Sequence, residues 1–354
     1  MPPRPLSLLS LAGSLLLAGC ESSVVRSDLA RWEAALGRPA TEVWKREERQ
    51  IESFRTPDFT ARLYRQRTGP STEQLVLLMV PPGLRGRAPG VVVPFYDPDR
   101  MCGYDLRTKL PLGPERGSAM FGLHLVRQGY VVAATESYPY NLLTAEEAPK
   151  DRSGFGVWRA AAAKLARTDP DWTGMGKLTH DARCAMDLLA AAPEADPARL
   201  AYMGHSLGGK TSFYAGAFDA RARAVVASDF GIAWEATNWG DPWYFGPKLA
   251  GMRASGLEHG DLLARMAPRG FFLIAGQYDG EQSRPQLELA AATYRRVGAD
   301  EEALRMFDHK SGHQPSFDSL RAAYRWLAVR LDRPQPDLAF LDELERRQAA
   351  APKR

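Results

Sequence analysis

The sequence predicts an α/β fold in which a mostly parallel central sheet is covered by helices on both faces. Three observations carry that expectation. Short, continuous apolar runs recur along the chain, as strands buried on both faces require. Segments with apolar residues at helical spacing separate them, and glycine or proline punctuates the joins. Such alternation favours a doubly covered parallel sheet over a sandwich or a bundle.

Taken in order, Gln74-Leu75-Val76-Leu77-Leu78-Met79-Val80 reads as a strand that Pro81-Pro82-Gly83 stops. Gly90-Val91-Val92-Val93-Pro94-Phe95 reads as a second strand, expected at the centre of the sheet. A helix-like stretch from Met120 to Gln128 leads into the strand Tyr130-Val131-Val132-Ala133-Ala134. Between Thr179 and Ala192, apolar residues at Ala182, Met186 and Leu189 have the period of a helix lying on a sheet. The strand Leu200 to Met203 follows, then the apolar runs Ala224 to Ser228 and Gly270 to Ala275, and a last strand from Ala303 to Phe307. A closing helix near 316–331 places Leu320, Tyr324, Leu327 and Leu331 on one face. One domain over 60–331 accounts for these elements, preceded by a tether and N-terminal segment at 20–59. The tail 332–354, rich in charge and alanine, is expected to form a short surface helix and then fray.

The most informative local feature is Gly204-His205-Ser206-Leu207-Gly208-Gly209, which joins a strand-like run to a helix-like one. In this G-x-S-x-G arrangement a sharp turn exposes the serine hydroxyl above the sheet edge, and glycines two positions either side let the backbone close without Cβ clashes. Ser206 is therefore the candidate nucleophile. Such a hydroxyl needs a base, and His313 follows the last strand on a loop, with Gly312 before it and the closing helix just beyond. His309 competes for that role, whereas His124, His180, His205 and His259 read as surface, core or local-turn residues. Asp279, just past the strand Gly270 to Ala275, is the candidate carboxylate to orient the imidazole. Asp229, at the end of the preceding strand, is the alternative acid. The order serine, aspartate, histidine is that of the α/β-hydrolases.

With these motifs the chain resembles an α/β-hydrolase of the dienelactone-hydrolase and acetyl-xylan-esterase-like group over about residues 60–330. Trp172-Thr173-Gly174-Met175-Gly176-Lys177, Asp196-Pro197-Ala198-Arg199-Leu200 before the serine turn, Asn238-Trp239-Gly240-Asp241-Pro242-Trp243-Tyr244, Ala267-Pro268-Arg269-Gly270 and Gly312-His313 carry the likeness. The resemblance implies ester hydrolysis by Ser206, Asp279 and His313. Lys210, four beyond the serine, resembles the G-x-S-x-x-G-K arrangement of glucuronoyl esterases, although Leu207 stands where those enzymes have an arginine.

The oxyanion donors are expected to be the backbone N–H of Leu207 and one from the loop after strand 90–95, with Tyr96 the candidate. Two segments have room to wall a pocket. Residues 136–178 carry Tyr138, Tyr140, Trp158 and Trp172, and residues 231–260 carry Trp234, Trp239, Trp243 and Tyr244. Aromatic faces beside Asp, Asn and Arg suit a sugar ring, so the second group are candidate substrate-binding residues for a saccharide or other small-molecule ester; tryptophans equally fill cores and pin loops. A peptidase or amidase of the same fold is the enzyme alternative, and a catalytically silent, lipid-anchored binding protein is the non-enzyme one.

Partners and compartment follow from the chain's ends and charge. Arg4, the apolar stretch Leu6 to Leu17 and Leu17-Ala18-Gly19-Cys20 resemble a bacterial lipoprotein signal over 1–19 with its lipidated cysteine at Cys20. Export and lipid anchoring in the cell envelope are expected, at the outer membrane where the cell has one, because Glu21 rather than Asp follows the cysteine. A formal charge of +4, dispersed among acidic residues, argues against nucleic acid as a partner. No cofactor is implied, no spacing suggests a metal, and Cys102 and Cys184 are read as unpaired.

Overall fold

Val91 and Val93 face one hydrophobic core while Val92 faces another, and Val131, Val132, Ala133 and Ala134 divide in the same alternating way. A strand that fills two cores must be apolar at every position, which is why the continuous runs read from the sequence are strands. The computed structural model describes residues 29–38, 45–70, 72–150 and 155–350. Within it the strands are β1 (Glu48–Arg55), β2 (Thr60–Arg67), β3 (Glu73–Val80), β4 (Ala88–Pro94), β5 (Val131–Thr135), β6 (Ala195–His205), β7 (Ala222–Ser228), β8 (Gly270–Ala275) and β9 (Leu304–Asp308). They form one sheet in the order β1-β2-β3-β5-β4-β6-β7-β8-β9.

From β5 to β9 every pairing is parallel, and β1, β2 and β3 extend the sheet in antiparallel fashion. This is the mostly parallel sheet with helices on both faces of an α/β-hydrolase fold. Phe121–Arg127 and Phe317–Arg330 cover one face; Gly174–Ala191 and Leu207–Phe218 cover the other. β4 lies at the centre, with β5 on one side and β6 on the other. The chain therefore reverses its direction of travel across the sheet at β4, and the crevice outside the carboxyl ends of β4 and β6 is where such sheets bind ligands.

The structure departs from the sequence reading at the start of the domain. Residues 48–55, expected within a tether and N-terminal segment, form edge strand β1, paired along its length with β2. Its sequence ERQIESFR is almost wholly exposed, so it lacks the apolar signature of a buried strand, and its charges protect an edge that would otherwise pair with another chain. Upstream, the helical residues 29–36 bury Trp32 completely, stacked on Trp234 and His259 and edge-on to Tyr214. At the other end the helix Ala339–Ala350 buries Leu341 and is tied by Arg321, which bonds Asp342 and Glu345 at 2.6 Å each. Cys102 and Cys184 are free and buried. The expected signal segment 1–19 and Cys20 lie outside the described residues.

Because Trp32 joins the N-terminal helix to the main core, Trp32→Ala is expected to destabilise the protein by about 3–5 kcal/mol, the cost of emptying a large aromatic site. Denaturant unfolding measures it. A loss under about 1 kcal/mol would show that this helix contributes little to the domain.

Candidate active site

β6 ends at His205 and the helix Leu207–Phe218 begins two residues later, so Ser206 alone turns the chain. It does so at φ 55° and ψ −115°, a strained conformation for a residue with a Cβ. The surroundings enforce it. The Ser206 N–H donates to the carbonyl of Ser228 on β7 at 2.7 Å. A Cβ on Gly204 would stand 2.1 Å from the carbonyl oxygen of Gly208, and one on Gly208 would stand 2.1 Å from that of Pro94 at the end of β4. Both glycines are thus required by close backbone approach.

His313 reaches this serine from the loop between β9 and the helix Phe317–Arg330. Its Nε2 lies 2.9 Å from Ser206 Oγ and its Nδ1 lies 2.6 Å from Asp229 Oδ2. The ring rests against His205, with centroids 4.5 Å apart, and meets Tyr278 edge-on at 4.9 Å. His205 is buried, which lowers its imidazole to about 3 and leaves it neutral beneath His313. His309 is turned elsewhere: its Nδ1 bonds the hydroxyl of Ser311 and its ring lies against Gly276.

The contact with His313 expected of Asp279 is made by Asp229. Asp229 stands directly past β7, has a φ of 40° and is fully buried. Its Oδ1 accepts from the N–H groups of Tyr278 and Asp279 at 2.7 and 2.9 Å, and its Oδ2 accepts from Gln277 N–H at 3.1 Å besides His313. Asp279 lies four residues past β8, in a loop that folds back so that its carboxylate turns from the histidine. It accepts from Phe230, Gly231 and Ile232 N–H, each at 2.8 Å, and from the Ser283 hydroxyl at 2.6 Å. Burial pushes its carboxyl above the ordinary range, against the pull of these hydrogen bonds. Both aspartates follow apolar strands, so only the direction of each loop separates them.

Leu207 is the first residue of its helix, and its N–H therefore has no acceptor within the helix. The contact of Gly208 with Pro94 sets this helix end beside the residues that follow β4. Tyr96, among those residues, is half-buried, edge-on to Phe95 and Trp158, with the Arg100 guanidinium 5.4 Å from its ring centre. Burial raises its phenol.

The aromatic residues of 231–260 do not offer open faces. Trp234, Trp239, Trp243 and Tyr244 are each at most 5% exposed, within the main core. Trp234 Nε1 donates to the carbonyl of Leu257 at 2.9 Å, Trp239 Nε1 to that of Gly231 at 2.7 Å, and the Trp243 carbonyl accepts from Tyr138 Oη at 2.9 Å. They pin the long segment to the domain, the alternative use of tryptophan noted above. Beneath them runs Lys210, itself buried, whose Nζ lies 4.6 Å from the Trp239 ring centre and 5.4 Å from that of Tyr244. It donates to the Phe230 carbonyl at 2.8 Å. A cavity of about 900 Å³ is lined by Trp172, His180, Arg183 and Lys248, and includes none of Ser206, His313 or Asp229.

The sequence matches no protein-family profile and no curated protein. Solved structures do share the fold. A glucuronoyl esterase from Solibacter usitatus superposes with a TM-score of 0.66 at 17% identity, over 86% of this chain and 92% of that one. A promiscuous CE15 esterase from a marine bacterial metagenome gives 0.60 at 15% identity, over 86% and 91%. Acetyl xylan esterase 1 from a Thermoanaerobacterium species gives 0.53 at 14%, over 86% and 93%.

Burial lowers the Lys210 ammonium from 10.5 to about 7. The unfolded chain then binds the extra proton between those two values, so this residue makes the folded state gain stability as pH rises from about 7 to about 10.5. Lys210→Met, which keeps the apolar stem, is expected to flatten that gain in urea unfolding at about pH 7 and about pH 9. An unchanged slope would show that the buried amine is not the source.

Proposed function

We propose that this chain is a serine carboxylic ester hydrolase that acts on an ester of a carbohydrate or other small molecule through an acyl-enzyme on Ser206. The observation that carries the reading is the continuous run of hydrogen bonds from Ser206 Oγ to His313 and on to Asp229. His313 Nε2 takes the hydroxyl proton as Oγ attacks the carbonyl carbon, and Asp229 stabilises the imidazolium that forms. The backbone N–H of Leu207, with one from Tyr96, receives the developing oxyanion. Protonated His313 then gives its proton to the departing alcohol, and water, activated by the same imidazole, releases the acid.

The carbohydrate reading is supported by the company the fold keeps, glucuronoyl and acetyl xylan esterases among them. Leu207 replaces the arginine of glucuronoyl esterases, so at that position only the backbone is left to stabilise an oxyanion. We further propose, from Leu17-Ala18-Gly19-Cys20, that the protein is exported and held to a membrane by a lipid on Cys20. Among the described residues no helix is long and apolar enough to cross a membrane. Intact-mass measurement of the mature chain tests the anchor: acyl groups on an N-terminal Cys20 support it, and cleavage elsewhere without acylation refutes it.

Steady-state kinetics on acetylated xylan, a glucuronate methyl ester, short p-nitrophenyl esters and aminoacyl amides tests the reaction and its class. Ser206→Ala and His313→Ala are expected to remove nearly all turnover, Asp229→Asn to lower kcat by roughly 10³- to 10⁴-fold, and His309→Ala to keep most activity. Unchanged turnover in Ser206→Ala would refute the mechanism, and amides cleaved faster than esters would make the protein an amidase.

A further inference from the structure

Asp279 makes no hydrogen bond to His313, yet it is fully buried and its carboxylate accepts four hydrogen bonds. Three of the donors are the N–H groups of Phe230, Gly231 and Ile232, the residues that immediately follow Asp229. Asp229 in turn grips the N–H groups of Gln277, Tyr278 and Asp279 itself. Each aspartate therefore holds the loop that carries the other. Lys210 closes the arrangement from the opposite side by donating to the carbonyl of Phe230 at 2.8 Å, while the N–H of that residue donates to Asp279.

This clasp surrounds a strained residue. At φ 40° Asp229 occupies the left-handed region, which costs a residue with a side chain free energy and persists only where the surroundings over-determine it. The donors on Asp279 are all N–H or O–H, and a carboxylate, which only accepts, satisfies every one of them. An amide in its place would turn an NH₂ toward donors, either at Phe230 and Gly231 or at Ile232 and Ser283.

We infer that Asp279 is a positioning residue that acts through Asp229: by gripping residues 230–232 it fixes the backbone conformation from which Asp229 Oδ2 reaches His313 Nδ1. Its consequence for catalysis rests on the hydrolase reading above, but the geometry it concerns is independent of substrate. A carboxylate that merely joined two loops would support stability and leave the hydrogen bond between His313 and Asp229 as it is.

The experiment compares Asp279→Asn and Ser283→Ala with the wild-type chain by ester kinetics and by proton NMR of the downfield His313 Nδ1–H. In folded Asp279→Asn, kcat should fall by about 10- to 100-fold with KM within about 2-fold, short of the roughly 10³- to 10⁴-fold loss from neutralising the acid that touches the histidine. The downfield resonance should move upfield or broaden. Ser283→Ala, which removes one hydrogen bond of 2.6 Å, should shift the resonance less and lower kcat a few-fold. Unchanged kcat and resonance in folded Asp279→Asn, with only the melting temperature lowered, would overturn the inference. If Asp279→Asn does not fold, an unchanged resonance and kcat in Ser283→Ala overturn it instead. A resonance that moves in a protein whose wild type hydrolyses no ester would leave the positioning intact and refute the hydrolase reading.

Discussion

The hydrogen bond between the buried carboxylate of Asp229 and His313 Nδ1 is the contact on which the rest of the site depends. Without it the imidazole has no fixed tautomer, and its other nitrogen need not face Ser206. The carboxylate can serve because its burial is compensated by three backbone N–H groups from residues 277–279. A buried charge left unpaired would cost several kcal/mol; one held by three N–H dipoles and an imidazole is both tolerated and immobile. The same bonds that make Asp229 affordable also make it rigid.

The second constraint is steric. Ser206, like Asp229, has a positive φ, and the two sit at the ends of adjacent parallel strands. The N–H of Ser206 donates to the carbonyl of Ser228, the residue before Asp229, so one hydrogen bond ties the turn at Ser206 to the turn at Asp229. Gly204 and Gly208 let the helix after Ser206 descend onto β6 and β4. Sheet topology then places the remaining groups: β4 ends beside that helix with Tyr96 just beyond, and β9 delivers His313 from the far side.

The parts of the fold and of the candidate site that the sequence made legible were those with local signatures. The glycines flanking Ser206 announce a close approach, and His313 stands between the last strand and the closing helix. The aspartates were a different matter. Asp229 and Asp279 both end apolar runs, and what distinguishes them is the path of two loops that bind each other across 49 residues of chain. The tryptophans of 231–260 looked suited to a sugar because the rings that cover them come from distant parts of the chain: Trp32 stacks on Trp234, Phe155 stacks on Trp243, and Tyr214 lies against Trp239. β1 was invisible for a related reason: an exposed edge strand has the composition of a linker.

The central claim, that Ser206 is the nucleophile activated by His313 and Asp229, is tested most directly by covalent labelling. The full chain, treated with a fluorophosphonate and digested, is read by peptide mass. The account predicts a single adduct on the peptide containing Ser206, formed rapidly in the wild type and slowly in Asp229→Asn. An adduct on another residue, or labelling of Ser206 at the same rate in both proteins, would contradict it.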